Sequence, residues 1–445
     1  MAEWAQQAHL LANHALPGVH GAVTALYFDT YTELLWSGLA SGQVTSHTNA
    51  PPAYPRYTSF LAHGTSRAPE PVLGLAGNEK AIFSVASGGV HAAQRSGLGR
   101  WSVRAADHAP GLQLASMCGT PLSTSSEIFV GGATDSARMT GALTESDVIL
   151  AINTNAGTVV RTVASDAPLT HLRRAGRAVC AGTASGAVQV RDPRSLAVEA
   201  RLTAHHGGLT DMQADGHYVY TIGWTLRQGQ PVTEPLLKVF DLRTLQPLVP
   251  IPLTAPGGPA LLAVHPKRNS LLAVATPQAH FQIVDMHMPG QSEFYVSSSR
   301  AYTSAMAFSP AADTLVFGES DGSLRLWTND TTALAAGTPV RFNAYSLPAP
   351  PAADVAEAPP AVHWAPDTPL SVVGMPQYDT PLLSASQAPR MWTERSPLFH
   401  LAPRVDPLVV RNARTRGGLT YAPLPPHLRG RRNELRAGDD VLARC

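Results

Sequence analysis

The chain has 445 residues, 15% of them charged, and a formal net charge of +1. That balance excludes a protein that coats nucleic acid or a membrane surface through bulk charge, and the length leaves ample room for a core. Its 36 glycines and 38 prolines favour many short strands over long helices. Cys118, Cys180 and Cys445 are far apart and form no C-x-x-C. They read as thiols in a reducing compartment, neither a disulfide frame nor a zinc site. The opening MAEWAQQAHLLANHALPG has no basic n-region and too short an apolar run for a secretory signal. No segment has the apolar length to span a bilayer, so a soluble, intracellular chain without membrane contact is expected.

In chain order, residues 1–19 mix polar and apolar residues without a clean period. They are set apart as an N-terminal segment, with one expected role: an outer strand that closes a ring and removes a sheet edge. Residues 20–345 then divide into seven similar units. The first, Val23–His47, has a turn at Asp29–Thr32, a strand at Glu33–Gly38 and a hairpin at Ser41-Gly42. Pro51–Gly64 is a Pro-rich, aromatic connection. The second unit is Pro71–Gln94, with Gly88-Gly89 in the hairpin place. The third is Leu114–Ile152, with a polar excursion between EIFVGG and Asp147. The fourth, Leu169–Val190, places Gly182 and Ser185-Gly186 as Gly318 and Asp321-Gly322 stand in the seventh. The fifth, Leu209–Leu242, carries an insertion at Thr225–Pro235. The sixth is Ala260–Met286.

The seventh unit, AMAFSPAADTLVFGESDGSLRLW (Ala305–Trp327), is the clearest. It reads as three strands joined by turns, and Asp321-Gly322 between apolar runs is a hairpin signal because glycine supplies positive φ without a steric penalty. Gly42, Gly186 and Gly322 set a repeat of about 47 residues, near the period of WD40 blades. The expected fold is all-β, a seven-bladed WD40-type β-propeller, with Arg191-Asp192, Phe240-Asp241 and Val284-Asp285 the nearest matches to the usual Trp-Asp ends. Residues 346–445 change character: Ser346–Ala361 is a Pro/Ala stretch, His363–Trp392 mixes aromatic anchors with prolines, and seven arginines fall between Arg411 and Arg436. This reads as an extended, largely irregular linker that gains structure on a partner.

Catalytic chemistry finds little support. Gly318–Gly322 is a literal G-x-S-x-G, but SLRLW after it alternates like a strand, whereas a nucleophile elbow needs a helix. A propeller hydrolase using Ser320 is therefore the minor alternative, and a generic WD40 interaction adaptor the nearer one. His205-His206 lack metal spacing and read as ordinary loop histidines. No metal or catalytic residue is assigned. The arginine-rich tail is either a solvated, partner-facing basic segment or an RNA contact, for which Arg429, Arg431 and Arg432 are candidates. Trp364, Tyr378 and Trp392 have the residue types in which interface energy concentrates; the alternative is packing against the propeller rim.

Five stretches together resemble one family: YTELLWSGLASGQVTSH (Tyr31–His47), RYTSFLAH (Arg56–His63), LTDMQADGHYVYTIGWTLRQG (Leu209–Gly229), KVFDLR (Lys238–Arg243) and DTPLSVVGMPQYDTPLLS (Asp367–Ser384). They are similar to the N-terminal propeller-plus-linker half of the catalytic subunit of the poly(A)-nuclease (Pan) deadenylation complex, the poly(A)-binding-protein-dependent poly(A)-specific ribonuclease. The resemblance implies a linker that binds a dimeric pseudokinase-like adaptor subunit through Trp364, Thr368, Pro369, Gly374, Met375, Pro376 and Tyr378. Through that adaptor it implies contact with poly(A)-binding protein and poly(A) RNA, in the cytoplasm and its P-bodies. The family's exonuclease is metal-dependent. Nothing after Glu434 continues into such a domain, so the chain is either a fragment of a longer protein or a divergent form that keeps only the scaffold. On both readings no residue here is assigned to RNA cleavage, and a non-catalytic scaffold without a cofactor of its own is expected. The metal belongs to the missing exonuclease domain.

Overall fold

The computed structural model describes residues 3–12, 21–65, 67–119, 126–134, 147–254 and 256–343, all within one compact unit, Met1–Leu347. They form seven antiparallel sheets, six of four strands and one of six. This is a seven-bladed β-propeller. The inner strands are Val23–Phe28, Gly74–Gly77, Leu112–Cys118, Leu169–Ala175, Gly208–Asp215, Leu261–Val264 and Thr303–Phe308, one per blade in chain order. Each is followed outward by two buried strands and an outer one. In blade 1 these are Leu34–Leu39, Gln43–Thr48 and Arg56–Leu61.

The Pro-rich connection of the sequence reading thus contains a strand: Arg56–Leu61 is the outer edge of blade 1. The insertion of blade 5 is a hairpin in which Trp224–Arg227 pairs with Gln230–Thr233. Blade 7 takes its outer strand from the other end of the chain. Ala5–Leu11, from the segment set apart as 1–19, pairs antiparallel with Ser323–Thr328. Trp4 then packs edge-on against Phe308. This pairing closes the ring and covers the edge of Ser323–Thr328.

Small residues set the spacing between blades. A Cβ at Gly38, Gly182 or Gly318 would lie 2.5, 2.6 or 2.4 Å from a side-chain carbon of Val72, Leu209 or Val23, each on the following blade. The glycines bring the sheets into that contact. Beside them, the inner strands of blades 1, 4, 5 and 7 carry a register shift at Thr24, Thr170, Thr210 and Ser304. The Thr24 hydroxyl donates toward the Gly38 carbonyl of its own blade (3.2 Å) and the Val72 carbonyl of the next (2.6 Å). Ser304 does the same toward Gly318 and, across the ring seam, Val23.

The predicted hairpin glycines hold in three blades. Gly42, Gly186 and Gly322 have φ of +83°, +83° and +89°. Gly88 differs: it has no positive φ, and its amide donates to the Glu70 carboxylate at 2.7 Å, which a Cβ would obstruct. Aromatic side chains knit the last two blades together, with Phe281 5.0 Å from both Phe317 and Trp327. Each such pair adds about 0.5–1.5 kcal/mol beyond burial.

Candidate functional site at the channel and the closing seam

The inner strands enclose a channel of about 590 Å³. Its wall is mostly small, hydroxylic or aliphatic, with one polar knot on its surface. The Arg173 guanidinium donates to Gln213 Oε1 (3.1 Å), Ser116 Oγ (3.2 Å) and the Leu172 carbonyl (2.9 Å), and lies 3.7 Å from Asp211. Asp211 also accepts from the amides of Met212 (2.7 Å) and Leu262 (2.8 Å). The knot therefore ties blades 3, 4, 5 and 6 together. Burial lifts the Asp211 carboxyl above its usual range, against the pull of Arg173. His171 beside it is pushed down to about 3, by burial first and the Arg173 charge second. With these donors and acceptors turned on one another, the arrangement is a lock between blades more than a seat for a ligand.

Two histidines mimic catalytic relays. His63 Nε2 lies 2.9 Å from Ser84 Oγ. His205 bridges Thr221 Oγ1 (3.2 Å) and Glu234 (3.1 Å), and Lys238 lies 2.6 Å from that carboxylate. The hydroxyl-bearing residues are sealed, Ser84 at 2% and Thr221 at 0% exposure, so no substrate reaches them. Both histidines instead fasten the entry loop of one blade to its second strand. The amides of His63 and His205 donate to the carbonyls of hairpin glycines Gly42 and Gly186 (3.1 and 2.9 Å). His205 thus lies in a loop, as read from the sequence, and what the sequence did not show is that this loop histidine is buried and structural.

Ser320 sits in the turn between Thr314–Glu319 and Ser323–Thr328. Its hydroxyl accepts from the Tyr302 amide at 3.1 Å. The strand-to-helix geometry of a nucleophile elbow is absent there. Among the described residues no three His, Cys, Asp or Glu side chains group as metal ligands, and no helix is long and apolar enough to cross a membrane.

The feature that sequence reasoning missed lies where the chain leaves blade 7. A short helix, Thr331–Ala336, is capped by Asp330 and ended by Gly337 at φ 65°. Beyond it the chain crosses to blade 1. The Glu33 carboxylate accepts from the amides of Phe342 (2.8 Å) and Asn343 (3.0 Å) and from Asn49 Nδ2 (2.8 Å). Asn49 Nδ2 also donates to the Val340 carbonyl (2.7 Å), and Asn343 Nδ2 to that of Thr32 (2.8 Å). Phe342, 1% exposed, stands edge-on to Phe28 at 4.9 Å. This clasp closes the seam a second time and fixes the chain at Asn343. The predicted partner residues Trp364, Thr368, Pro369, Gly374, Met375, Pro376 and Tyr378, and the arginines Arg429, Arg431 and Arg432, lie outside the described residues.

A family profile described as PAN2 N-terminal matches residues 9–328, from the closing strand to the end of blade 7. The chain belongs to the PAN2 N-terminal family. Among relatives of this family, the PAN2-PAN3 deadenylation complex catalytic subunit PAN2 of Cryptococcus neoformans is 31% identical over 434 residues, covering 93% of this chain and 35% of that protein. That of Phaeosphaeria nodorum is 29% identical over 426 residues, covering 94% and 34%. This chain therefore spans about a third of the length of the curated relatives it matches. The solved Neurospora crassa Pan2 WD40 domain superposes with a TM-score of 0.64 at 22% identity, over 76% of this chain and 97% of that one. The PAN2 N-terminal propeller is thus a WD40 propeller.

Proposed function

We propose that this chain is the scaffold portion of a poly(A)-tail-shortening nuclease: a rigid ring that presents a linker to a pseudokinase-like adaptor subunit. The observation that carries this reading is the extent of the relatedness. The match to the Cryptococcus PAN2 runs over 434 residues, past the propeller and through most of the linker. That relative is named for a PAN2-PAN3 complex, which motivates the adaptor as partner. Trp364, Thr368, Pro369, Gly374, Met375, Pro376 and Tyr378 are the residues assigned to its contact, with the two aromatic side chains as anchors. The mechanism is placement. A linker that starts from the fixed clasp at Asn343 keeps the adaptor, and poly(A)-binding protein and poly(A) RNA through it, at raised effective concentration. The cytoplasm, including P-bodies, is the matching location, and no cofactor is assigned to this chain.

The test is a titration of purified adaptor into the full chain, wild type against Trp364→Ala combined with Tyr378→Ala. Removing two anchors lowers affinity by at least about tenfold if each is a hot spot. Equal affinity in the double variant would overturn the linker assignment. The proposed RNA contact of Arg429, Arg431 and Arg432 is read from salt: replacing all three with Gln flattens the log K–log[salt] slope for oligoadenylate by about 2. An unchanged slope would make them a solvated segment.

A further inference from the structure

The turns that follow the inner strands of blades 4, 5 and 6 meet side by side on one face of the ring. A Cβ on Gly176 would lie 2.9 Å from the Gly216 carbonyl, and one on Gly216 3.3 Å from Asn269 Nδ2. Tyr220 from blade 5 donates to the Asn269 carbonyl of blade 6. These touching turns and the strand ends beside them carry Arg174, Arg177, Lys267 and Arg268 against Asp215, with Asp313 of the blade 7 turn the other carboxylate close to Lys267 and Arg268 around His265. Arg177, Lys267 and Arg268 are exposed, and none forms an ion pair among the described residues. The carboxylates of the neighbouring outer turns point back into their own loops. Asp192 accepts from the Arg194 and Ser195 amides, Asp241 from Arg243, and Asp285 from the His287 amide. The strip therefore faces solvent with excess positive charge. On the same face of the ring, in the turns before the outer strands of blades 5 and 6, stand Leu245 and Met288, 40% and 55% exposed.

We propose that this strip docks an acidic protein segment with apolar anchors. Its carboxylates would lie on Arg177, Lys267 and Arg268, and its aliphatic side chains against Leu245 and Met288. The same cations could attract phosphates, but sequence-tolerant binding of single-stranded nucleic acid also uses open aromatic faces. Tyr218, the aromatic residue beside the strip, has its ring covered by the Arg243 guanidinium at 6.0 Å. Exposed aliphatic residues on the same face as unpaired cations match an acidic, apolar peptide better.

The experiment measures fluorescence anisotropy of the full chain with a labelled peptide of Glu, Asp and Leu, a Ser/Leu control peptide and oligoadenylate. Wild type binds the acidic peptide in a salt-dependent way and ignores the control. Arg177→Glu with Lys267→Glu and Arg268→Glu weakens that binding by at least about tenfold. Met288→Ser, which leaves the charges in place, weakens it by about threefold. These side chains are exposed, and an unchanged urea midpoint verifies folding of each variant. Absence of peptide binding, or equal binding by the triple variant, would overturn the proposal. So would oligoadenylate binding more tightly than the peptide and being lost in the triple variant, which would make the strip a nucleic-acid surface.

Discussion

A β-carbon at Gly182 would stand 2.6 Å from Leu209 Cδ1 and 3.2 Å from the His171 side chain. Gly182→Ala should therefore overpack the joint between blades 4 and 5 and destabilise the ring by about 1–3 kcal/mol, read as a lower urea midpoint. Gly186 answers to a different constraint, since φ of +83° and a Cβ 2.2 Å from the His205 carbonyl make any side chain strained there. This part of the fold was legible: glycines at hairpin spacing mark where the backbone must turn with positive φ. The histidines were not. His63 and His205 take their meaning from Ser84 and Thr221, 21 and 16 residues away on the second strand of the blade that each loop enters, and a single sequence does not display such a partner. His63 is pushed down from 6.5 to about 4, by burial first and by His91 second. It is neutral in the fold while the unfolded chain protonates near 6.5. Its stabilisation is complete above that pH and lost as pH falls toward 4, by up to about 3 kcal/mol. His63→Gln should flatten this part of the stability–pH profile in urea titrations; an unchanged slope would remove His63 as a source.

Among the elements, inner and middle strands were readable because they are short apolar runs bounded by turns. Outer strands were not. Val159–Ala164 alternates between exposed and half-buried positions, Val198–Thr203 does so apart from the buried Leu202, and both carry charged residues, so they resemble the connections around them. The helix Thr331–Ala336 is too short to show a period. The clasp was hidden for another reason: Glu33 and Asn343 are 310 residues apart, and nothing local announces a carboxylate that waits for two distant amides. Replacing Glu33 with Ala leaves those amides without their acceptor and should cost about 1–3 kcal/mol. Hydrogen exchange at Phe342 and Asn343 should accelerate while the amides of the middle strands keep their protection. Uniform loss of protection throughout the propeller would mean that the clasp holds the whole ring and not only the chain's exit.

Across the whole molecule, the ring is fastened where its ends meet by two independent pieces, the strand Ala5–Leu11 on blade 7 and the clasp at Glu33 on blade 1. Together they hold both ends of the described propeller. Architecture and family were visible in the repeat and in phrases such as GMPQY. The acidic-peptide strip was not, because Arg177, Lys267 and Arg268 come together only when blades 4 and 6 flank the same turn of blade 5. We propose that the propeller is the base for a linker that holds the adaptor. Hydrogen–deuterium exchange of the full chain with and without the adaptor tests it most directly. New protection should concentrate in His363–Trp392, with the channel knot of Arg173 and Asp211 unchanged. Protection confined to the propeller, or no change anywhere, would contradict it.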